Sequence, residues 1–407
     1  MKIIDGGVTA AKGFKASSVA AGIKYEGSTD MAMVHSEAPC TAAGVYTSNL
    51  VKAACVLWDK KVTSSDSKVS TVVVNAGIAN ACTGELGLSY CEETAKAVKE
   101  ALDVPVDSVL VASTGVIGKQ LPIEKIVNGV GALAATLEAG KDAGELASKA
   151  IMTTDTVNKQ VAVTFEIGGK TVTMGGMCKG AGMIHPNMCT MLAFITSDLA
   201  IDKKLLQKAL SENVVDTFNM ISVDGDTSTN DTLVVLANGL AGNPEITSEG
   251  KDYDTFKEAL YYCMETLAKK MAADGEGATA LFEVKVKNAK TKEQARKLAK
   301  SVICSNLTKA AIYGHDANWG RILCAFGYSG EVFAPENVTL TFEGGNESIL
   351  IFENGVGTDF SEEKATKILS NKEVAVVADF HMGSFEATAW GCDLTHDYVS
   401  INADYRS

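Results

Sequence analysis

A layered α/β fold is the class this sequence predicts, and three patterns predict it. Short alternating or apolar runs that read as strands recur along the whole chain. Longer runs with apolar residues three and four apart lie between them and read as helices. Neither kind segregates to one end, so strands and helices mix throughout and a layered α/β class follows. A chain of 407 residues also exceeds what one core usually serves. Two domains, or one large layered domain with an appendage, follow.

Strands are expected at 69–75, 108–112, 160–167, 170–174, 281–286, 338–342 and 373–380. Gly168 and Gly169, between two of them, read as a tight hairpin turn. Helices are expected at 91–102, where Ala95, Val98 and Leu102 share a face, and at 203–218, 255–273 and 292–304. From Leu281 onward the order looks self-contained. The expected division is therefore a main layered domain over 1–280 and a smaller α/β domain over 281–407.

Composition narrows the function classes. Apolar residues make up 46% and charged residues 21%, as in ordinary globular chains. A net charge of −13, with no basic stripe, points away from nucleic acid and anionic membranes. The N-terminus has no apolar run suited to a secretory signal, and no segment approaches a membrane span. The ten cysteines include no C-x-x-C pair and lie in apolar contexts, as reduced thiols of a cytoplasmic protein would. The five histidines include no pair at metal spacing, so no metal is expected. The acidic run 223–231 lacks the full loop and bidentate Glu of a calcium site and reads as a hydrogen-bonded turn. No phosphate-binding loop is present, and Gly129-Val130-Gly131 lacks a dinucleotide-site context.

The central segment is the least ordinary. Four glycines fall within the eight residues 175–182, a proline follows at 186, and an apolar run begins after Thr190. Glycines allow a crowded loop, and the apolar run reads as a buried strand. Two readings stand on pattern alone: Thr190 simply begins a strand after a turn, or the chain is cut before it. Cleavage would give Thr190 an α-amine that titrates near about 8, low enough to act as base for its own hydroxyl. The hydroxyl could attack the Cys189 carbonyl, shift the acyl group from nitrogen to oxygen, and leave an ester for water. Cys189 as nucleophile, with His185 four residues away, is a weaker alternative.

At this point the sequence resembles a known family. The run KGAGMIHPNMCTMLAF at 179–194 is similar to the self-processing segment of the ornithine acetyltransferases, the glutamate N-acetyltransferases of arginine biosynthesis. Ordered matches extend over essentially the whole chain: VVNAG at 73–77, ANACTG at 79–84, STGVIG at 113–118, IMTTDT at 151–156, SVDGDTSTND at 222–231, DGEGAT at 274–279, NWGR at 318–321, AWGCDL at 389–394 and INADY at 401–405.

The resemblance implies a self-processing N-terminal-threonine fold, with β-sheets sandwiched by helices and a smaller C-terminal α/β domain. It implies cleavage between Cys189 and Thr190 into an α chain, 1–189, and a β chain from 190, assembled as an α2β2 heterotetramer. It implies that N-acetylornithine acetylates Thr190, ornithine leaves, and glutamate takes the acetyl group. Acetyl-CoA is a possible further donor; no bound cofactor is implied. Thr114 and Gly115 match the family's oxyanion hole. Thr153, Lys179, Thr190, Glu276, Asn402 and Ser407 match its substrate-contacting positions. The family usually has alanine where Cys189 stands, serine where Ala181 stands and a small apolar residue where His185 stands. A self-processing aminopeptidase or amidase, which would hand the acyl group to water, shares the same threonine logic and is the competing expectation.

Overall fold

The computed structural model describes residues 1–23, 26–185 and 191–404. Contacts divide it into two compact units. One comprises residues 1–180, 186–218 and 227–267; the other comprises 181–185, 219–226 and 268–407.

The strands of the first unit are β1 (Lys2–Ile4), β2 (Phe14–Val19), β3 (Met31–Tyr46), β4 (Val69–Ile78), β5 (Val109–Val116), β6 (Lys159–Ile167), β7 (Lys170–Lys179), β8 (Leu192–Ser197) and β9 (Thr232–Ala237). Its helices are α1 (Ala54–Ser64), α2 (Glu85–Leu102), α3 (Ile123–Ala135), α4 (Lys141–Ala150) and α5 (Lys203–Val214), and α6 (Lys251–Ala273) begins in it. Among the described residues the strands join in the order β1-β6-β7-β8-β9-β3-β4-β5, with β2 also on β3.

The long β3 makes one sheet into two layers. Its first part, Met31 to His35, pairs with β2 and β4. The ladder to β4 is irregular between His35 and Cys40, around Pro39. Beyond that break, Thr41 to Tyr46 pairs with β9 instead. A proline has no N–H for a ladder, so the interruption falls where the strand changes partners. Alternation then builds the core. Val72, Val74, Leu110 and Ala112 from one half join Met177, Leu192, Phe194, Val234 and Leu236 from the other in one buried cluster. Ala143, Ala147 and Ala150 of α4 pack into it. The opposite parity, Met31, Met33, Val73, Val109 and Val111, packs on Cys91, Ala95 and Val98 of α2 and Ile126, Val130 and Leu133 of α3. Helix α5 lies on β3, and α6 reaches β7, where the Cys178 thiol donates to the Leu267 carbonyl at 3.7 Å. Sheets sandwiched by helices are what the family resemblance implies.

The second unit has a mixed sheet, β13-β12-β11-β14-β10-β15 among the described residues. Its strands are β10 (Leu281–Ala289), β11 (Thr339–Gly344), β12 (Glu347–Glu353), β13 (Val356–Gly357), β14 (Glu373–Asp379) and β15 (Phe385–Cys392). Its helices are α7 (Lys292–Ile303), α8 (Asn306–Tyr313), α9 (Trp319–Gly327), α10 (Glu362–Leu369) and α11 (His396–Asp404). Helix α7, capped by the Thr291 hydroxyl, packs on β10 and β15. Among the described residues no helix is long and apolar enough to cross a membrane.

Candidate active site

In the first unit, Lys179 ends β7 on the same face as Met177, the face that lines the inner core. Thr114 of β5 has the parity of Leu110 and Ala112, which line that core from the other half. The two side chains meet. Lys179 Nζ donates to Thr114 Oγ1 at 3.2 Å and to Thr153 Oγ1 at 2.9 Å. Three positions matched to family roles therefore converge, although they lie 65 and 26 residues apart in sequence.

Thr114 and Gly115 were expected just after a strand ending at 112. They lie inside β5, which continues to Val116. Polar Ser113 and Thr114 hide the continuation from a hydrophobicity reading, but the parallel ladder to β4 runs on through Asn75, Ala76 and Gly77. Gly115 has φ +125°, and a Cβ there would sit 2.3 Å from the Gly77 backbone carbon. Only glycine permits that approach. The turn is held by amides. Asn230 Nδ2 donates to the carbonyls of Ala79, at 2.5 Å, and Ser113, at 2.8 Å. Ser113 Oγ donates to Asn75 Oδ1 at 2.6 Å.

Sequence reasoning missed Asp155 and Lys159. Lys159 Nζ lies 2.7 Å from Asp155 Oδ1, and both side chains are 0% exposed. The same oxygen accepts from Gly180 N at 2.6 Å, and Oδ2 accepts from Thr153 N at 3.1 Å. Burial opposes ionisation of Asp155 and is the largest single influence. The charges of Lys179 and Lys159 and the Lys159 and Gly180 hydrogen bonds outweigh it, and the carboxyl is held down at about 2. The only sequence signal was an Asp and a Lys four apart at the edge of IMTTDT.

The second unit holds its own group. Glu276 lies in the loop after α6 and is buried, not the solvated acid that a lone Glu usually is. Asn402 Nδ2 of α11 donates to Glu276 Oε2 at 2.7 Å. A Cβ at Gly182 would sit 2.3 Å from the Glu276 carboxylate carbon, so the glycine makes room for the acid. Nearby, Asp224 accepts from the N–H groups of Met183, Ile184 and Asp226, at 2.6, 2.9 and 3.1 Å. The acidic run does form a hydrogen-bonded turn there. Burial raises the Asp224 carboxyl, and burial with the charges of Asp224, Glu276 and Asp226 raises the Tyr398 phenol. His185 Nδ1 lies 3.1 Å from Ser222 Oγ and 3.6 Å from Cys304 Sγ; burial, aided by Lys300, lowers its pKa to about 4. Cys189, Thr190 and Ser407 lie outside the described residues.

A helix-enclosed sheet sandwich with a lysine ammonium among hydroxyls defines a layered α/β protein with a polar cluster at the end of β7. Comparison with known proteins narrows this. A family model described as the ArgJ family matches residues 15–407. The arginine biosynthesis bifunctional protein ArgJ of Symbiobacterium thermophilum is 51% identical over 411 residues, covering 100% of both chains. Its counterpart in Caldanaerobacter subterraneus subsp. tengcongensis is 48% identical over 407 residues, again covering 100% of both. A crystal structure of the ArgJ protein from Bacillus halodurans matches with a TM-score of 0.50 and 48% identity, covering 52% of this chain and 97% of that one. The chain belongs to the ArgJ family.

Proposed function

We propose that this chain is a self-processing acetyltransferase of arginine biosynthesis. It cuts itself between Cys189 and Thr190, then moves an acetyl group from N-acetylornithine to glutamate. The observation that carries this reading is the Lys179 ammonium on the Thr114 and Thr153 hydroxyls. Both substrates carry a carboxylate, which an ammonium ion binds well. Lys179 is also the ladder partner of Leu192. Position 190 is two residues from Leu192 along the chain. The relatives' shared designation, arginine biosynthesis bifunctional protein, supports the pathway. Nearly the whole of the Bacillus halodurans chain covers only about half of this one, and the stretch after Cys189 is likewise about half, which supports processing.

In this reading the Thr190 hydroxyl attacks the acetyl carbonyl and gives its proton to the freed α-amine. The amide C–N bond breaks, ornithine leaves with that proton, and an acetyl ester remains. The glutamate amine attacks the ester and restores the hydroxyl. The Thr114 hydroxyl and the Gly115 N–H stabilise the oxyanion at each addition. Removing one such donor costs about 3–4 kcal/mol of barrier. Acetyl-CoA serves as a further donor, and two α–β pairs assemble as α2β2.

Mass analysis and a glutamate-dependent transfer assay test this together. Purified protein yields a fragment beginning at Thr190 and makes N-acetylglutamate from N-acetylornithine, and Thr190→Ala loses both. Acetate release without acetylglutamate would replace the transferase with a hydrolase. Initial rates with acetyl-CoA decide the second donor, and native mass decides the assembly.

A further inference from the structure

We propose that Asp155 is the positioning residue that sets Lys179 and Thr153 in place for substrate, and that Lys159 holds Asp155 in its ionised form for that task. The inference deepens the acetyl-transfer reading and rests on it for the identity of the substrates.

The geometry is specific. Strand β7 ends at Lys179, and the next residue, Gly180, has φ +151°, so the chain leaves the sheet there. Its N–H is taken by Asp155 Oδ1 at 2.6 Å. The other carboxylate oxygen takes the Thr153 N–H at 3.1 Å. One carboxylate thus ties the backbone beside Lys179 to the backbone of Thr153, and the side chains of those residues meet at 2.9 Å. A lysine stem has four flexible carbons, so its ammonium is placed only as well as its backbone is held. Misplacement by about 1 Å can cost on the order of 100-fold in rate.

The ion pair explains how the carboxylate stays charged. Asp155 is fully enclosed, and a neutral acid would accept backbone N–H groups less strongly. Lys159, the first residue of β6, supplies the opposing charge at 2.7 Å. Its Nζ also donates to the Val157 carbonyl at 3.3 Å, which fixes the ammonium from the other side.

The test compares wild type, Lys179→Ala, Asp155→Asn, Asp155→Asn combined with Lys159→Met, and that combined change in the Lys179→Ala background. The combined variant removes both charges, so no lone lysine charge is stranded if the single variant fails to fold. KM and kcat for N-acetylornithine and glutamate are measured, with calorimetric Kd for glutamate and the yield of the fragment beginning at Thr190. Positioning predicts that the combined variant is still cleaved but raises KM and Kd at least tenfold. It also predicts that the same change is nearly silent once Lys179 is already alanine. KM and Kd within twofold of wild type, or an effect of equal size in the Lys179→Ala background, would overturn the assignment. A wild type that binds glutamate yet transfers nothing would refute acetyl transfer instead, and the Kd comparison would still judge Asp155.

Discussion

Single residues carry the finest constraints, and Gly115 is one of them. Its positive φ and its 2.3 Å virtual contact with Gly77 leave no room for a side chain. Gly115→Ala must displace either β4 or β5 and with it Thr114. The expected outcome is a loss of transfer of at least 100-fold, with a lowered melting temperature, read by steady-state rates and thermal unfolding. Asn230→Ala tests the amide that holds the same turn. It leaves the Ala79 and Ser113 carbonyls without that donor and should cost about 1–3 kcal/mol in urea unfolding. At this scale the sequence is partly legible. Lys179, Glu276 and Asn402 are picked out only by the family resemblance: the strand expected from 170 stops at 174, short of Lys179, and no periodicity reports a contact over the 126 residues between Glu276 and Asn402. Asp155 stayed silent for a related reason: an acid four residues from a lysine is usually a solvated pair, and only the folded chain shows it enclosed.

Elements were legible where hydrophobic period and length agreed. Strands β4, β6, β7, β10 and β14 begin within a residue of their expected starts, because their apolar runs are bounded by turn residues. Strand β3 went unread because His35, Ser36, Glu37 and Pro39 break its alternation, and that break is where it changes partners. The docking of α1 on β5 supplies a pH test. Asp59 is fully buried in α1, and its Oδ1 accepts from Val111 N at 2.8 Å. Burial, only partly offset by that hydrogen bond, holds its carboxyl well above the usual range. The folded chain therefore keeps a proton there that the unfolded chain releases near pH 4. Stability from this group falls as pH rises above that value. Asp59→Asn keeps the acceptor and removes the titration. Its stability relative to wild type should increase from pH 5 to pH 8 in urea unfolding; a difference unchanged between those pH values would refute the assignment. His185 works in the opposite direction in the second unit. Its pKa is lowered to about 4, so its neutral form favours folding, and that stability is lost as pH falls from about 6.5 toward 4.

At the scale of the whole molecule, the proposed cut falls inside a sheet, not between the two units. Strand β7 precedes Cys189 and β8 follows Thr190, yet the two pair from Met174 with Ser197 to Lys179 with Leu192. Strands β8 and β9 occupy the middle of the first unit's strand order, between β7 and β3. After cleavage the later chain would own these two central strands and the earlier chain would own both flanks. Separating the chains would then expose two ladders and the core that Leu192, Phe194, Val234 and Leu236 share with Met177, Val72 and Leu110. The proposed processing would therefore free a new N-terminus without freeing a subunit. The processed chains should elute together in native buffer at any dilution and separate only in denaturant. The segment from Thr190 onward, expressed alone, should be insoluble, because the β8–β9 pair would lose β7 on one side and β3 on the other, and co-expression with residues 1–189 should restore solubility. Size exclusion at nanomolar concentration is the measurement. Two separately eluting folded chains would mean that the cut lies elsewhere or that the sheet is not shared.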